Sequence, residues 1–232
     1  MKLIPNMSRT LLLMIDVQND FCPGYVSVSG EKIPDGALAV RDGGGVVAPL
    51  NALAVAFAVA GGRVAATQDW HPRGHASFAS SHQDKKLGDI IDLDGVQGQV
   101  LWPDHCVQGE WGAAFHEQLD LKPVNLIVRK GFRKGLDSYS AFFENDRCTS
   151  TGLEGAIKQM NIETVIIGGL ATDYCVLYSA MDSRRLGFNT IIIEDAVRGV
   201  NYPDGSVEKA LAEMRANGIL FAASGDLLKE IC

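Results

Sequence analysis

The 232-residue sequence contains no apolar run long enough to cross a bilayer: near its start the longest covers residues 11–15, against the ~20 that a spanning helix needs. That run is also too short for a signal-peptide core, and the preceding MKLIPNMSRT lacks transit-peptide character, so neither membrane association nor a targeting segment is expected. Cysteine pairing is missing too. The five cysteines (Cys22, Cys106, Cys148, Cys175, Cys232) are odd in number, scattered and form no CxxC, which argues against a disulfide framework or a thiolate zinc site and fits a reducing cytoplasm. Positive charge is scarce. A net charge of -7 and a pI near 5.2 suit no phosphate backbone, so nucleic acid is not an expected partner. The one basic cluster, RKGFRK at residues 129–134, reads by itself as a solvated turn. A dinucleotide fingerprint is absent as well: the GGG of residues 43–45 follows no strand pattern and lacks GxGxxG spacing.

What is present is apolar and periodic. Short aliphatic runs of strand length recur at residues 11–17, 63–67, 124–128, 164–167, 190–193 and 219–222. Segments of helical periodicity lie between most of them, at 46–60, 153–160, 174–186 and 207–216, several closed by a glycine. Near-continuous apolar strands alternating with helices predict an α/β fold: one doubly wound, Rossmann-like domain over residues 1–232, with about six mainly parallel strands and helices on both faces. Ligands of such sheets bind beyond the C-terminal strand ends. Residues 22–45 and 70–123 break the alternation, and loops of that length inside a compact domain are usually functional or disordered.

The chemistry-bearing residues cluster at those strand ends. Asp16 is the first charge after the first apolar strand, where a carboxylate needs a partner or a task; capping a neighbouring loop is the plainer alternative. The second strand leads into QDWHPRGH. Asp69 and His71, two apart in extended chain, share a face and can reach one cation, with His75 nearby and His105 of WPDHC as a candidate third ligand. Such mixed ligands suit zinc, iron or manganese; surface or turn hydrogen bonding is the competing explanation. The third strand delivers Arg129 and Lys130, and the fourth GGLATDYCV with Cys175 at the start of a helix. If the sheet order brings these ends together, Asp16, Lys130 and Cys175 form a base, a cation and a nucleophile whose thiolate the helix dipole favours. Taken alone, a cysteine between Tyr174 and Val176 reads more simply as inert core.

As a set, DVQNDF, QDWHP, WPDHC, the KG after a strand and GLATDYCV resemble the isochorismatase-like cysteine hydrolases, in order and across nearly the whole chain. The resemblance implies a triad of Asp16, Lys130 and Cys175, and one divalent metal, zinc foremost, on Asp69, His71 and His105, with His75 a candidate extra ligand. It further implies a cis peptide from Leu170 to Ala171, with the N–H groups of Ala171 and Cys175 forming an oxyanion hole. The activity it implies is hydrolysis of nicotinamide to nicotinate and ammonia through a thioester, in NAD salvage, with pyrazinamide as a further substrate. Phe21 and Trp102, each inside a site motif, are the candidate aromatics against the pyridine ring. Hydrolysis of another amide, a ureido compound or a vinyl ether is the nearest alternative, and a silent pyridine-binding protein a more distant one. Self-association is left open. Arg133 and Lys134, in the unusually basic FRKGLDSYSAFF, have no assigned role.

Overall fold

The computed structural model describes residues 2–231, so Cys232 lies outside the described residues. Ten strands are formed: β1 Thr10–Ile15, β2 Tyr25–Val26, β3 Lys32–Ile33, β4 Arg63–Asp69, β5 Ile90–Leu93, β6 Val96–Val100, β7 Leu126–Lys130, β8 Thr164–Leu170, β9 Asn189–Arg198 and β10 Leu220–Ala222. Five α-helices accompany them: α1 Val47–Val59, α2 Leu153–Gln159, α3 Leu177–Arg185, α4 Ser206–Ala216 and α5 Ser224–Ile231.

Six strands make one parallel sheet in the order β10-β9-β8-β1-β4-β7. The chain winds outward from β1 through β4 to β7, crosses back, and winds the other way through β8, β9 and β10. The switch therefore lies between β1 and β8, where doubly wound sheets open a crevice. All six residues of β1 are buried because both faces are covered. Leu12 and Met14 pack with Leu50, Leu53 and Phe57 of α1 and Leu227 of α5, whereas Leu11, Leu13 and Ile15 pack with Leu153 and Ile157 of α2 and Met214 of α4. Successive side chains of a strand point to opposite faces, so the unbroken TLLLMI feeds both cores at once.

The expected fold class is thus the observed one. Three details differ. The third sheet strand begins at Leu126 rather than residue 124, because Val124 closes a turn on Leu121 O and Asn125 bonds to Val64 O. The final helix α5 was not expected; its eight residues are too few for a firm periodic signal. The long span 70–123 holds the antiparallel hairpin β5-β6 and short 3-10 turns, so it is ordered rather than featureless.

Candidate active site

Four adjacent strands, β8, β1, β4 and β7, each end in or lead into a residue that reaches one buried point. Asp16 follows β1 with a left-handed backbone (φ 46°), a conformation that non-glycine residues hold only where their surroundings impose it. Thr67 of β4 fixes its carboxylate: Thr67 Oγ–H donates to Asp16 Oδ1 at 2.6 Å, and the same oxygen accepts the Asp16 N–H at 3.1 Å. Lys130, fully buried at the end of β7, sets its Nζ 2.8 Å from Asp16 Oδ2, 2.5 Å from Asp69 Oδ1 and 3.4 Å from Cys175 Sγ, and donates to Ser138 O at 2.8 Å. One Asp16 oxygen, one Asp69 oxygen and Cys175 Sγ all lie within 4.8 Å of one another. Cys175 sits in a π-helical turn, Thr172–Val176, which follows a cis Leu170–Ala171 peptide and runs into α3.

Burial dominates the titration of these groups. It raises the Asp16 carboxyl above its ordinary value despite the Lys130 charge. Burial also pushes the Cys175 thiol well up, with Asp16 and Asp69 adding to the effect and Lys130 opposing it. Within this closed cluster burial works against the thiolate that the helix end would favour. Lys130 stays protonated, since the two carboxylates outweigh its burial.

Asp69, His71 and His105 form a second group beside the first. Asp69 Oδ2 lies 3.6 Å from His71 Nε2 and 3.9 Å from His105 Nε2. Ligands bound at ~2.1 Å around one ion sit roughly 3–3.5 Å apart, so a small closure brings these atoms onto a cation. Both rings are oriented for that role. His71 Nδ1 donates to Gly131 O and His105 Nδ1 to Pro103 O, each at 2.8 Å, which leaves the Nε2 lone pairs facing Asp69. His71 Nε2 is buried without a hydrogen-bond partner. Burial and the neighbouring His71 lower His105 to about 4, keeping its lone pair free of a proton at neutral pH. Gly131 is required here: a Cβ would come 2.5 Å from the His71 ring.

Charge points the same way. The buried carboxyl groups of Asp16, Asp69 and Asp137 outnumber the one buried ammonium beside them, Lys130; burial lowers the His71 imidazole, but the neighbouring Asp69 outweighs it and raises His71 above its ordinary value. A divalent cation neutralises that excess, and the residues present fit one.

His75 stands apart from this donor set. Its Nε2–H donates to Arg133 O at 2.9 Å and its Nδ1 accepts from Ser77 Oγ at 2.7 Å, while His71, His75 and Asp137 each bring one donor atom within 4.8 Å of the others and form a second group able to hold an ion. Phe21 and Trp102 both line the cleft beside Cys175, Ala171, His105 and Tyr139, a space of about 360 Å³ with its mouth included. Thr67, Asp137, Ser138 and Tyr139 were missed from sequence. The last three lie in FRKGLDSYSAFF, where the basic residues drew attention instead. Arg133 of that stretch has an ordinary task, pairing with the buried Glu144.

Comparison with known proteins identifies the relatives of this chain. The nicotinamidase of Acinetobacter baylyi is 43% identical over 217 residues, covering 94% of each chain. A nicotinamidase pyrazinamidase structure from Acinetobacter baumanii superposes with a TM-score of 0.85 at 42% identity, covering 95% of this chain and 98% of that one. A zinc complex of the pyrazinamidase of Pyrococcus horikoshii gives 0.71 at 29% identity over 93% and 99%. The isochorismatase domain model matches residues 10–224, and with these likenesses it places the chain in the isochorismatase family.

Proposed function

We propose that this protein hydrolyses nicotinamide to nicotinate and ammonia, with Cys175 as nucleophile, Asp16 as proton carrier and Lys130 as the fixed cation between them. The observation that carries this reading is the meeting of a thiol, a carboxylate and an ammonium within contact distance, beside a two-histidine, one-aspartate donor set in an aromatic-lined cleft. The likeness to nicotinamidases at 43% and 42% identity supplies the substrate.

Asp16 takes the proton of the Cys175 thiol as sulfur attacks the carboxamide carbon, and the new C–S bond leaves a tetrahedral oxyanion. The N–H groups of Ala171 and Cys175 receive that oxyanion. Asp16 returns the proton to the leaving nitrogen, ammonia departs and a nicotinoyl thioester remains. Water then gives a proton to Asp16 and its oxygen to the acyl carbon; the C–S bond breaks, sulfur recovers its proton and nicotinate is released. Lys130 holds Asp16 and sulfur in place through both halves and keeps their developing negative charge paired.

Asp69, His71 and His105 would hold one divalent ion, zinc in our reading, which when bound supplies a Lewis-acidic anchor for the ring nitrogen. Phe21 and Trp102 flank the ring. Pyrazinamide, which keeps a ring nitrogen meta to the carboxamide, is a further expected substrate. With Cys22, Cys106, Cys148 and Cys175 all free thiols, we place the reaction in the reducing cytoplasm, recycling nicotinamide for NAD.

The test is ammonia release from nicotinamide by the purified protein. Cys175→Ala should lower turnover by at least ~10³-fold while leaving the circular dichroism spectrum unchanged. Release by that variant at the wild-type rate would remove the thioester from the mechanism.

A further inference from the structure

Asp173 lies two residues before Cys175 and takes no part in the chemistry above, yet it is a buried carboxylate, 5% exposed. Its partners are three neutral donors rather than a cation. Oδ1 accepts the Val200 N–H at 3.0 Å, and Oδ2 accepts the Asn201 N–H at 2.8 Å and the Ser206 Oγ–H at 2.5 Å. All three belong to the loop of residues 199–205 between β9 and α4, or to the first residue of α4. An asparagine at 173 would oppose one of these donors with its own N–H₂, so only an acceptor on both oxygens satisfies the set.

This loop walls the cleft. Val200 lines it opposite Cys175 and continues into an outer apolar recess with Asn201 and Tyr202, whose ring lies 6.4 Å from that of Trp102. Its remaining bonds are mainly internal, Ser206 N–H to Pro203 O and Gly205 N–H to Asn201 Oδ1. Besides Asp173, Tyr174 ties it to the cysteine-bearing turn, donating its O–H to Tyr202 O at 2.6 Å. Gly199 permits the close approach, since a Cβ there would stand 2.9 Å from Asp173 Oδ1. The turn itself is continuous with β8 on one side and with α3 on the other.

We propose that Asp173 is a positioning residue that clamps the 199–205 loop against the cleft, so that substrate affinity depends on it while the chemical step does not. The proposal rests on Cys175 and its cleft being the reaction site. A wall that contacts the ring in both ground and transition states contributes uniform binding, and its loss raises KM with kcat retained.

The experiment compares the wild-type enzyme with Asp173→Asn, Asp173→Ala and Ser206→Ala. Two readouts are taken on protein of unchanged circular dichroism: steady-state ammonia release from nicotinamide, and the rate at which iodoacetamide alkylates Cys175, with exposed Cys148 as the internal reference. Asp173→Asn and Asp173→Ala should raise KM about tenfold with kcat within about threefold of wild type, and speed Cys175 alkylation about tenfold. Ser206→Ala, which removes one donor of three, should shift both in the same direction by about threefold. A folded variant with wild-type KM and alkylation rate overturns the clamp, as does a fall in kcat at constant KM. Wild-type protein that releases no ammonia overturns the substrate reading alone, and the alkylation rates then decide on the clamp.

Discussion

At the scale of single residues, the site is governed by what each buried charge touches. Thr67 both donates to Asp16 Oδ1 and accepts its N–H, so Thr67→Val removes two bonds while nearly conserving shape. The orphaned carboxylate oxygen should cost about 1–3 kcal/mol of stability, measured by urea denaturation, together with a fall in kcat as Asp16 loses its orientation. No sequence signal marked Thr67. It sits inside a strand pattern of RVAATQD, and its role depends on β1 and β4 pairing in the register Met14 with Ala66. Asp16 and Lys130 stood out as charges at the ends of apolar strands, whereas Cys175, which by itself reads as inert core, was picked out by the motif around it and by those neighbours. His75 illustrates the opposite case. Four residues on from His71, it lies outside the Asp69, His71 and His105 group, and its ring is bonded to Ser77 and Arg133 beside Asp137.

Elements carry their own dependences. Helix α5 begins at Ser224, whose N–H and Oγ–H both donate to the Asp195 carboxylate of β9, at 2.7 and 2.5 Å. Burial raises the Asp195 carboxyl, but the two bonds from Ser224 together outweigh it and hold it below its ordinary value. A depressed folded-state value stabilises the fold above the unfolded carboxylate range, and that contribution is lost as pH falls through the folded value. Asp195→Asn should therefore lower the melting temperature at pH 7 by an amount equivalent to at most about 1 kcal/mol, with the gap from wild type closing on acidification to pH 3. A gap independent of pH would show that the bonds, not the charge, are what α5 needs. The order of sheet elements was readable from alternating apolar runs, whereas this terminal helix was not. Its eight residues take their stability from packing Leu227 beneath the sheet, which a local pattern does not record.

For the molecule as a whole, the unbalanced charge at the centre links metal to stability. Three buried carboxyl groups beside a single buried ammonium oppose folding, and a divalent ion that binds only the folded state favours it. At a free ion concentration of 100 Kd the gain is about 2.7 kcal/mol. Treatment with chelator should lower the melting temperature, and readdition of zinc should restore it. Asp69→Asn should abolish that response. An unchanged melting temperature on chelation would separate the donor set from any ion. The doubly wound architecture was fully legible at this scale, since a buried parallel sheet demands apolar strands and covering helices. The convergence of strand ends was legible only through the resemblance of the motifs, because strand positions by themselves do not name their neighbours.

The strand order has one more consequence, for assembly in time. Proton carrier, Asp69 and ammonium arrive at the ends of β1, β4 and β7, His105 on the span between β4 and β7, and sulfur on the turn after β8, from chain segments as far apart as Asp16 and Cys175. No hairpin or contiguous half of the chain contains them all. A nascent or partly unfolded chain therefore holds an ordinary thiol and scattered ligands, and chemistry begins only when the two windings of the sheet have joined along the β1–β8 seam. Recovery of activity during refolding reports that seam closing, and nothing earlier.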